Sequence, residues 1–525
     1  MKGWVLYLQH NINNSRDTVV ARFDSCTVTV IARYWKQSWS CPSSVLSGNL
    51  LDTTSEVARM EAGHSYCTMG QPGTASCNNR VPTVSDLVTS NTNTRTPPQP
   101  LHSKIKIATM SVSPLGFVSA IFAAVAIHQL LLSKQLFPHG RPVDLAPSNR
   151  HSGPTVDPSN VSLRLSSGRL TKIYERVEQE GVPGLLVGPE TIFFDNNGIM
   201  YTLTEQNKLV SITDFQHKRE DDASIMTAKV TEVADLGIGR SVGGKFDSGS
   251  CLYFADILKG LCRLCLDQSS KPVVELIASR FQLEDGFWSD VTYADDVDIG
   301  PRTGHVYFSD ATNIKMDRDL RTGVWDIMYP SKLEAIRGLK SGRLLRFKPE
   351  TGEVDLIASG VALFANGVAV DEKESFVLFT STFEGKVNKY HLTGEKEGQL
   401  ETILTDFPGF LDGIDCSFGS SLCFVAMPVP ATPDLKALFT IPPLLSRFVR
   451  SILMAVPRHL APTAKTYGGV AVVHPGDEHS KPSIQQIYQD PTGVDVSMIT
   501  GVTEHDGKVY LGSVHNDFVG VLDYH

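Results

Sequence analysis

The chain has 525 residues, 41% hydrophobic and 20% charged, which is the composition of an ordinary globular protein. Its formal net charge of −9 argues against nucleic acid as a partner, because a phosphate binder presents a basic face. Walker, GxGxxG and HExxH motifs are absent, and the single CxxC pair, Cys262 and Cys265, lacks the second pair or nearby histidine that a zinc site needs.

Residues 1–109 are rich in Ser, Thr, Asn and Arg without a sustained apolar period, and are expected to form a low-complexity, disordered extension. Residues 110–137 hold an apolar run, 114–132, broken only by His128 and Gln129. As a helix it matches the roughly 20 residues needed to cross a bilayer core, so it is expected to be a membrane anchor or signal-anchor; a buried core helix is the other reading. Lys104 and Lys106 precede it and Lys134 and Arg141 follow it, so charge bias sets its orientation only weakly. Residues 138–169 are a Pro-rich linker with a glycosylation sequon at Asn160-Val161-Ser162. These features predict a membrane-anchored protein of the endoplasmic reticulum, secretory pathway or cell surface, with the domain that follows lumenal or extracellular.

From residue 170 to 525 the texture is all-β. One pattern recurs at intervals of roughly 50 residues: a polar residue, a short alternating strand, a turn, then a strand of the Leu/Val-Tyr-Phe type. It appears as "ETIFFDNNGIMYTLT" from Glu190, "VGGKFDSGSCLYFAD" from Val242, "DDVDIGPRTGHVYFSD" from Asp295, "NGVAVDEKESFVLFTS" from Asn366, "DGIDCSFGSSLCFVAM" from Asp412 and "TGVTEHDGKVYLGS" from Thr500. Such a repeat predicts a six-bladed β-propeller, with a strand near 170–177 completing the last blade. Residues 433–462 are expected to be a helical insertion in the fifth blade: Leu444, Leu445, Phe448, Val449, Ile452 and Leu453 recur at helical spacing, with Arg447 and Arg450 between them. It reads as a lid, as a basic amphipathic helix touching a membrane, or as a helix packed on the propeller face. Cys416 and Cys423 flank a Gly419-Ser420 turn symmetrically, which suits either a cross-hairpin disulfide or two buried thiols.

The innermost strands of a propeller all run the same way around one axis. The first residue of each repeat therefore lies on one ring: Glu190, Val242, Asp295, Asn366, Asp412 and Thr500. Three carboxylates and one amide at one end of a channel either repel, raising their pKa values, or hold a cation. Oxygen ligands of this kind suit Ca²⁺, so Glu190, Asp295, Asn366 and Asp412 are the predicted metal ligands. Each of them taken alone reads more often as a turn residue, and it is their joint occurrence at four of six equivalent positions that points to a metal; a slip of one position would exchange Asp295 for Asp296.

The segments "GPETIFFDNNGIMYTLT", "YADDVDIGPRTGHVYFSD", "GRLLRFKPETGEVDLIASGVALFANGVAV", "FPGFLDGI" and "GVTEHDGKVYLGS" together resemble the strictosidine-synthase-like family, over about residues 181–525. The resemblance implies a six-bladed propeller, more distantly similar to paraoxonases and gluconolactonases, and a short anchor ahead of it. It also implies that Glu190, Asn366 and Asp412 are metal ligands, with Asp295 standing where the family usually has Asn. Strictosidine synthases use a glutamate where this chain has Thr500, and paraoxonases use a histidine where it has Val242. A condensing synthase is therefore disfavoured. The expectation is a calcium-dependent hydrolase, arylesterase- or lactonase-like, acting on small hydrophobic esters or lactones, with Asp412 as the catalytic carboxylate. A non-catalytic propeller that binds a ligand or partner around a structural metal is the alternative.

Overall fold

The computed structural model describes three short strands near the amino terminus and, with brief gaps, residues 162–524. The three strands, Val5–Gln9, Thr18–Phe23 and Cys26–Val30, pair as an antiparallel sheet within the segment expected to lack regular structure. The apolar run 114–132 lies outside the described residues. Among the described residues no helix is long and apolar enough to cross a membrane.

From residue 162 onward the chain forms six antiparallel meanders. Their first strands are β1 (Ile192–Phe194), β2 (Ser241–Phe246), β3 (Ala294–Ile299), β4 (Ala365–Val370), β5 (Ile414–Cys416) and β6 (Ile499–His505). Each neighbours the next in chain order and β6 neighbours β1, so the six inner strands close a ring, the arrangement of a six-bladed propeller. Thr503 Oγ1 donates to the Ile192 carbonyl and Gly413 N–H to the Thr500 carbonyl, stitching adjacent blades at the axis. Buried Leu, Val, Phe and Ile from facing sheets form a continuous belt of hydrophobic clusters between the blades.

Leu170–Glu175 supplies the outer strand of the sixth blade, pairing antiparallel with Phe518–Leu522, as the sequence predicts. Its other edge pairs in parallel with Asp222–Asp235, the long outer strand of the first blade, so two blades merge into one eight-stranded sheet. Ser162–Arg164 adds in the same parallel sense to the outer strand of the fifth blade, Ser483–Asp490. Edge strands that would expose unpaired amides are thereby covered.

The repeated Tyr/Leu-Phe-x-Asp/Ser signature has a mechanical role. It ends the second strand of four blades in a buried Asp256, Asp310, Ser381 or Ser513. Asp310 Oδ1 accepts the N–H groups of Thr292 and Tyr293 at 3.0 and 2.7 Å, and Ser381 Oγ accepts that of Leu363 at 3.0 Å. These residues lead directly into β3 and β4. The second strand therefore fixes where β3 and β4 begin.

Two disulfides join directly opposite residues of neighbouring strands, Cys251 with Cys265 and Cys416 with Cys423. Cys262 is a buried free thiol, so the CxxC pair is not a metal motif. Two helices rise from the ring end of the propeller: α1 (Met328–Arg337) in the third blade and α2 (Pro443–Met454) in the insertion of the fifth. They pack together through Leu333, Met454 and Ile314.

Asp310 also pairs with Arg343 in a fully buried contact. Asp310→Ala strands the guanidinium and unties the entry to β3. It is expected to cost about 3–5 kcal/mol, whereas Ser381→Ala costs about 1 kcal/mol; urea unfolding of the two variants checks the ordering.

Candidate metal centre

The ring positions occur in one register. Glu190-Thr191-Ile192, Val242-Gly243-Gly244, Asp295-Asp296-Val297, Asn366-Gly367-Val368, Asp412-Gly413-Ile414 and Thr500-Gly501-Val502 align at the start of the six inner strands. In β2, β3, β4 and β6 the pairing with the second strand shifts register at this point. A bulge re-aims a side chain that regular pairing would send between blades. The middle residue is glycine in four of the six because the neighbouring backbone arrives there. A Cβ on Gly501 would stand 2.0 Å from the Glu190 carbonyl oxygen, and one on Gly367 2.4 Å from the Ile414 nitrogen.

Glu190, Asp295, Asn366 and Asp412 are thus brought to one end of the channel, and the three carboxylates feel one another. Burial, then the charges of Asp412 and Glu190, hold Asp295 well above the usual carboxylate range. Burial and the charge of Glu190 do the same to Asp412, against a hydrogen bond from the Asn366 side chain. Burial pushes Glu190 up to about 7, against the pull of Arg240. Glu190 Oε2, Asp295 Oδ2 and Thr500 Oγ1 are buried with no hydrogen-bond partner. Orphaned oxygens are costly unless something binds them. The donor set of two carboxylate types and an amide is hard and oxygen-only, which fits Ca²⁺. Among the described residues no three His, Cys, Asp or Glu side chains are closed to coordination distance. The ring is in charge contact and would have to draw in around an ion.

Asp296, the neighbour that one slip of register would have chosen, is spent elsewhere. Its Oδ2 accepts Val368 N–H at 2.9 Å and its Oδ1 accepts Val297 N–H at 2.9 Å, joining the third blade to the fourth.

Two cations escaped the sequence reading although one, Lys245, lies in the quoted segment from Val242 and the other, Arg240, two residues before it. Arg240 is buried 3.8 Å from Glu190, beyond hydrogen-bond reach, with Nη1 unpartnered. It stands two residues before the ring position. In three other blades the same offset carries Tyr293, Phe364 and Phe410. These residues lead into the inner strands at the ring end of the channel. The formal charge of the three carboxylates and Arg240 together is −2, which one divalent cation neutralises. Lower in the channel, Lys245 Nζ lies 3.4 Å from Asp298 and 3.3 Å from Asp415. Burial works against its charge, but the two carboxylates more than offset it and hold its pKa above the ordinary lysine value. Those carboxylates also accept Val370 N–H and Glu504 N–H from neighbouring blades, so Lys245 offsets one of their two charges and backbone amides stabilise both.

Above the ring the surroundings are aromatic. Tyr293 meets Phe364 at 5.3 Å between ring centres, Phe364 meets Phe383 at 6.0 Å, and Phe383 and Phe410 both meet Phe439 of the insertion. Val242 belongs to the same cluster. The centre is a polar oxygen ring under an apolar roof.

Residues 295–395, which include Asp295 and Asn366, match the family described as Strictosidine synthase. The chain is 25% identical over 384 residues to adipocyte plasma membrane-associated protein of Gallus gallus, covering 69% of this chain and 83% of that protein. It is 29% identical over 236 residues to strictosidine synthase-like protein 13 of Arabidopsis thaliana, covering 45% of this chain and 50% of that one. Among solved structures, a gluconolactonase from Xanthomonas campestris overlaps 64% of this chain and 87% of its own, at 13% identity and a TM-score of 0.41. The resemblance to strictosidine-synthase-like proteins read from the motifs is shown by these matches.

A carboxylate whose pKa is raised by folding stabilises the fold fully below its unfolded pKa, and that contribution is lost as pH rises through the folded value. For Glu190 the window runs from its ordinary 4.5 up to about 7; for Asp295 and Asp412 it extends further in the same direction. Chelator-treated protein should therefore melt at progressively lower temperature as pH rises across this window, and Glu190→Gln should flatten its lower part. Saturating Ca²⁺ should remove most of the slope. Thermal melts across pH, with and without chelator, measure all three.

Proposed function

We propose that this protein is a calcium-dependent hydrolase of hydrophobic esters or lactones. The observation that carries the reading is the buried ring of Glu190, Asp295, Asn366 and Asp412, with unsatisfied oxygens, directly beneath the aromatic roof. Those four residues would hold the ion, with Arg240 balancing the third carboxylate. Bound Ca²⁺ supplies a Lewis acid that polarises the carbonyl oxygen of an ester or lactone. The chain does the rest. Tyr293, Phe364, Phe383 and Phe439 exclude water and receive the apolar part of the substrate. Asn366 holds the Asp412 side chain in place by a hydrogen bond. Asp412 then either takes the proton from an attacking water and returns it to the alcohol oxygen as the acyl C–O bond breaks, or attacks the carbonyl carbon and displaces the alcohol, which is protonated by water, leaving an acyl-enzyme that a second water hydrolyses.

Val242 and Thr500 occupy ring positions and offer neither a general base nor a general acid. That favours one second reading, a non-catalytic ligand-binding propeller whose ion is structural. The names of the adipocyte plasma membrane-associated relatives support placement at a membrane or in the secretory pathway, in keeping with the apolar run at 114–132.

Phenyl acetate and a simple lactone, assayed with Ca²⁺ and then with chelator, test the proposal. Turnover should be chelator-sensitive and fall at least about a hundredfold in Asp412→Ala and Asn366→Ala. A calcium-dependent rise in melting temperature without turnover selects the structural ion instead. No response to chelator in either assay overturns the metal centre.

A further inference from the structure

A cation at the ring satisfies orphaned oxygens, but it cannot satisfy an orphaned N–H. Arg240 carries one. Its Nη2 donates to the Gly188 carbonyl at 3.3 Å and stops 3.8 Å from Glu190 Oε2, while Nη1 is buried with no partner. Two other buried arginines, Arg337 and Arg343, close hydrogen bonds onto the carboxylates of Glu334 and Asp310. Arg240 does not, although its backbone is held from every side. Ser241 N–H donates to Asn207 Oδ1 at 2.7 Å, Ser241 Oγ to Asp256 Oδ2 at 3.0 Å, and Ile257 N–H to the Arg240 carbonyl at 2.9 Å. On the other flank a Cβ at Gly239 would stand 2.2 Å from Asp256 Oδ2, so the chain is tight there too. The fold thus fixes a guanidinium that is 4% exposed and leaves one of its charged donors open, which is costly without an acceptor.

A second open donor lies nearby. Thr500 Oγ1, in a residue 6% exposed, is buried without a partner. Both residues border Glu190: Arg240 approaches its carboxylate, and Gly501, next to Thr500, packs on its carbonyl oxygen. Two donors beside a candidate cation site call for an acceptor with more than one oxygen. Charge sets its valence. Three carboxylates, Arg240 and one divalent ion sum to zero, so a monoanion disturbs the site less than a dianion such as a phosphate monoester. The roof sets the remainder. Val242, two residues after Arg240, and Ile257, bonded to its backbone, belong to the apolar cluster of Tyr293 and Phe364. Whatever accepts from Arg240 therefore carries an apolar body.

We propose that Arg240 is an anion receptor at the channel mouth, and that its ligand is an organic carboxylate with an apolar body. The carboxylate accepts from Arg240 Nη1, with Thr500 Oγ1 as the second donor, and the apolar body lies against Tyr293 and Phe364. The consequence for catalysis rests on the hydrolase reading: this anion is the acid that ester or lactone hydrolysis releases, so the acid would be held at the site and would compete with fresh substrate. In a non-catalytic propeller the same anion is the ligand itself.

The test uses the full chain, with Ca²⁺ present throughout, and calorimetric titration of 4-phenylbutyrate and of its uncharged counterpart, 4-phenylbutyramide. The acid should bind the wild type at least about tenfold more tightly than the amide, and should lose at least about tenfold in Arg240→Gln, as expected for one hydrogen bond to a charged group. The amide should change by less than about threefold in the same variant. Thr500→Val keeps the side-chain shape and removes a hydroxyl that has no partner in the free protein, so it reads the same site should Arg240→Gln unfold; it should weaken the acid by about threefold or more and leave the amide unchanged. No binding of the acid to the wild type at millimolar concentration overturns the proposal. So does equal affinity for acid and amide, or a loss in Arg240→Gln that is the same for both. Turnover is not read: Arg240-dependent binding of the acid without ester hydrolysis leaves the receptor standing and removes the hydrolase, and hydrolysis without preference for the acid does the reverse.

Discussion

Everything in this molecule follows from how closely six strands approach one axis. At the second residue of each repeat there is no room for a side chain in four blades, because the next blade's backbone fills the space a Cβ would need. In the third blade Asp296 takes that place by reaching across to Val368 N–H instead of clashing with it. Tight packing at that level forces the preceding residue of each strand onto a common ring. A set of oxygen-bearing side chains separated by more than two hundred residues of sequence is thereby gathered without any contact having been arranged for it individually.

The same crowding explains the electrostatics. Carboxylates at this level cannot spread apart or reach solvent, so burial and mutual repulsion raise their pKa values together. The molecule answers with two cations of its own at different depths. Arg240 lies at the ring end of the channel, an exchangeable divalent ion is proposed at the ring, and Lys245 is locked between Asp298 and Asp415 below it. Only the middle position is left to be filled from outside.

Much of this was legible in the residues. Asn366-Gly367 resembles a hairpin turn, but the true turn a few residues later freed it to be read as the start of a strand. The helical period of 433–462 and the closing strand at 170–175 were equally readable. What the sequence could not give was partnership. Arg240 and Lys245 flank Val242 in plain view, yet their roles depend on carboxylates from other blades. Helical periodicity likewise located the helix α2 but not the neighbour of Arg450, whose Nη1 donates to the Ala335 and Ile336 carbonyls of α1. Only the carbonyls of α1 determine that the arginine turns inward. The cysteines show the same limit: spacing left a disulfide and two thiols equally open at Cys416 and Cys423, and paired Cys265 with nothing.

The closure of the sixth blade has a temporal side. Leu170–Glu175 leaves the ribosome early but cannot be paired on its inner edge until Phe518–Leu522 has been made, at the opposite end of the domain. Until then the ring is an open arc, its first carboxylate at Glu190 without the neighbour that packs on its carbonyl. The nascent chain therefore holds a row of buried-type carboxylates that cannot yet be gathered, and the proposed cation affinity would appear in one step once the last blade closes. Loss of Phe518–Leu522, which contributes no residue to the ring, would leave every ring side chain present and the ring unclosed.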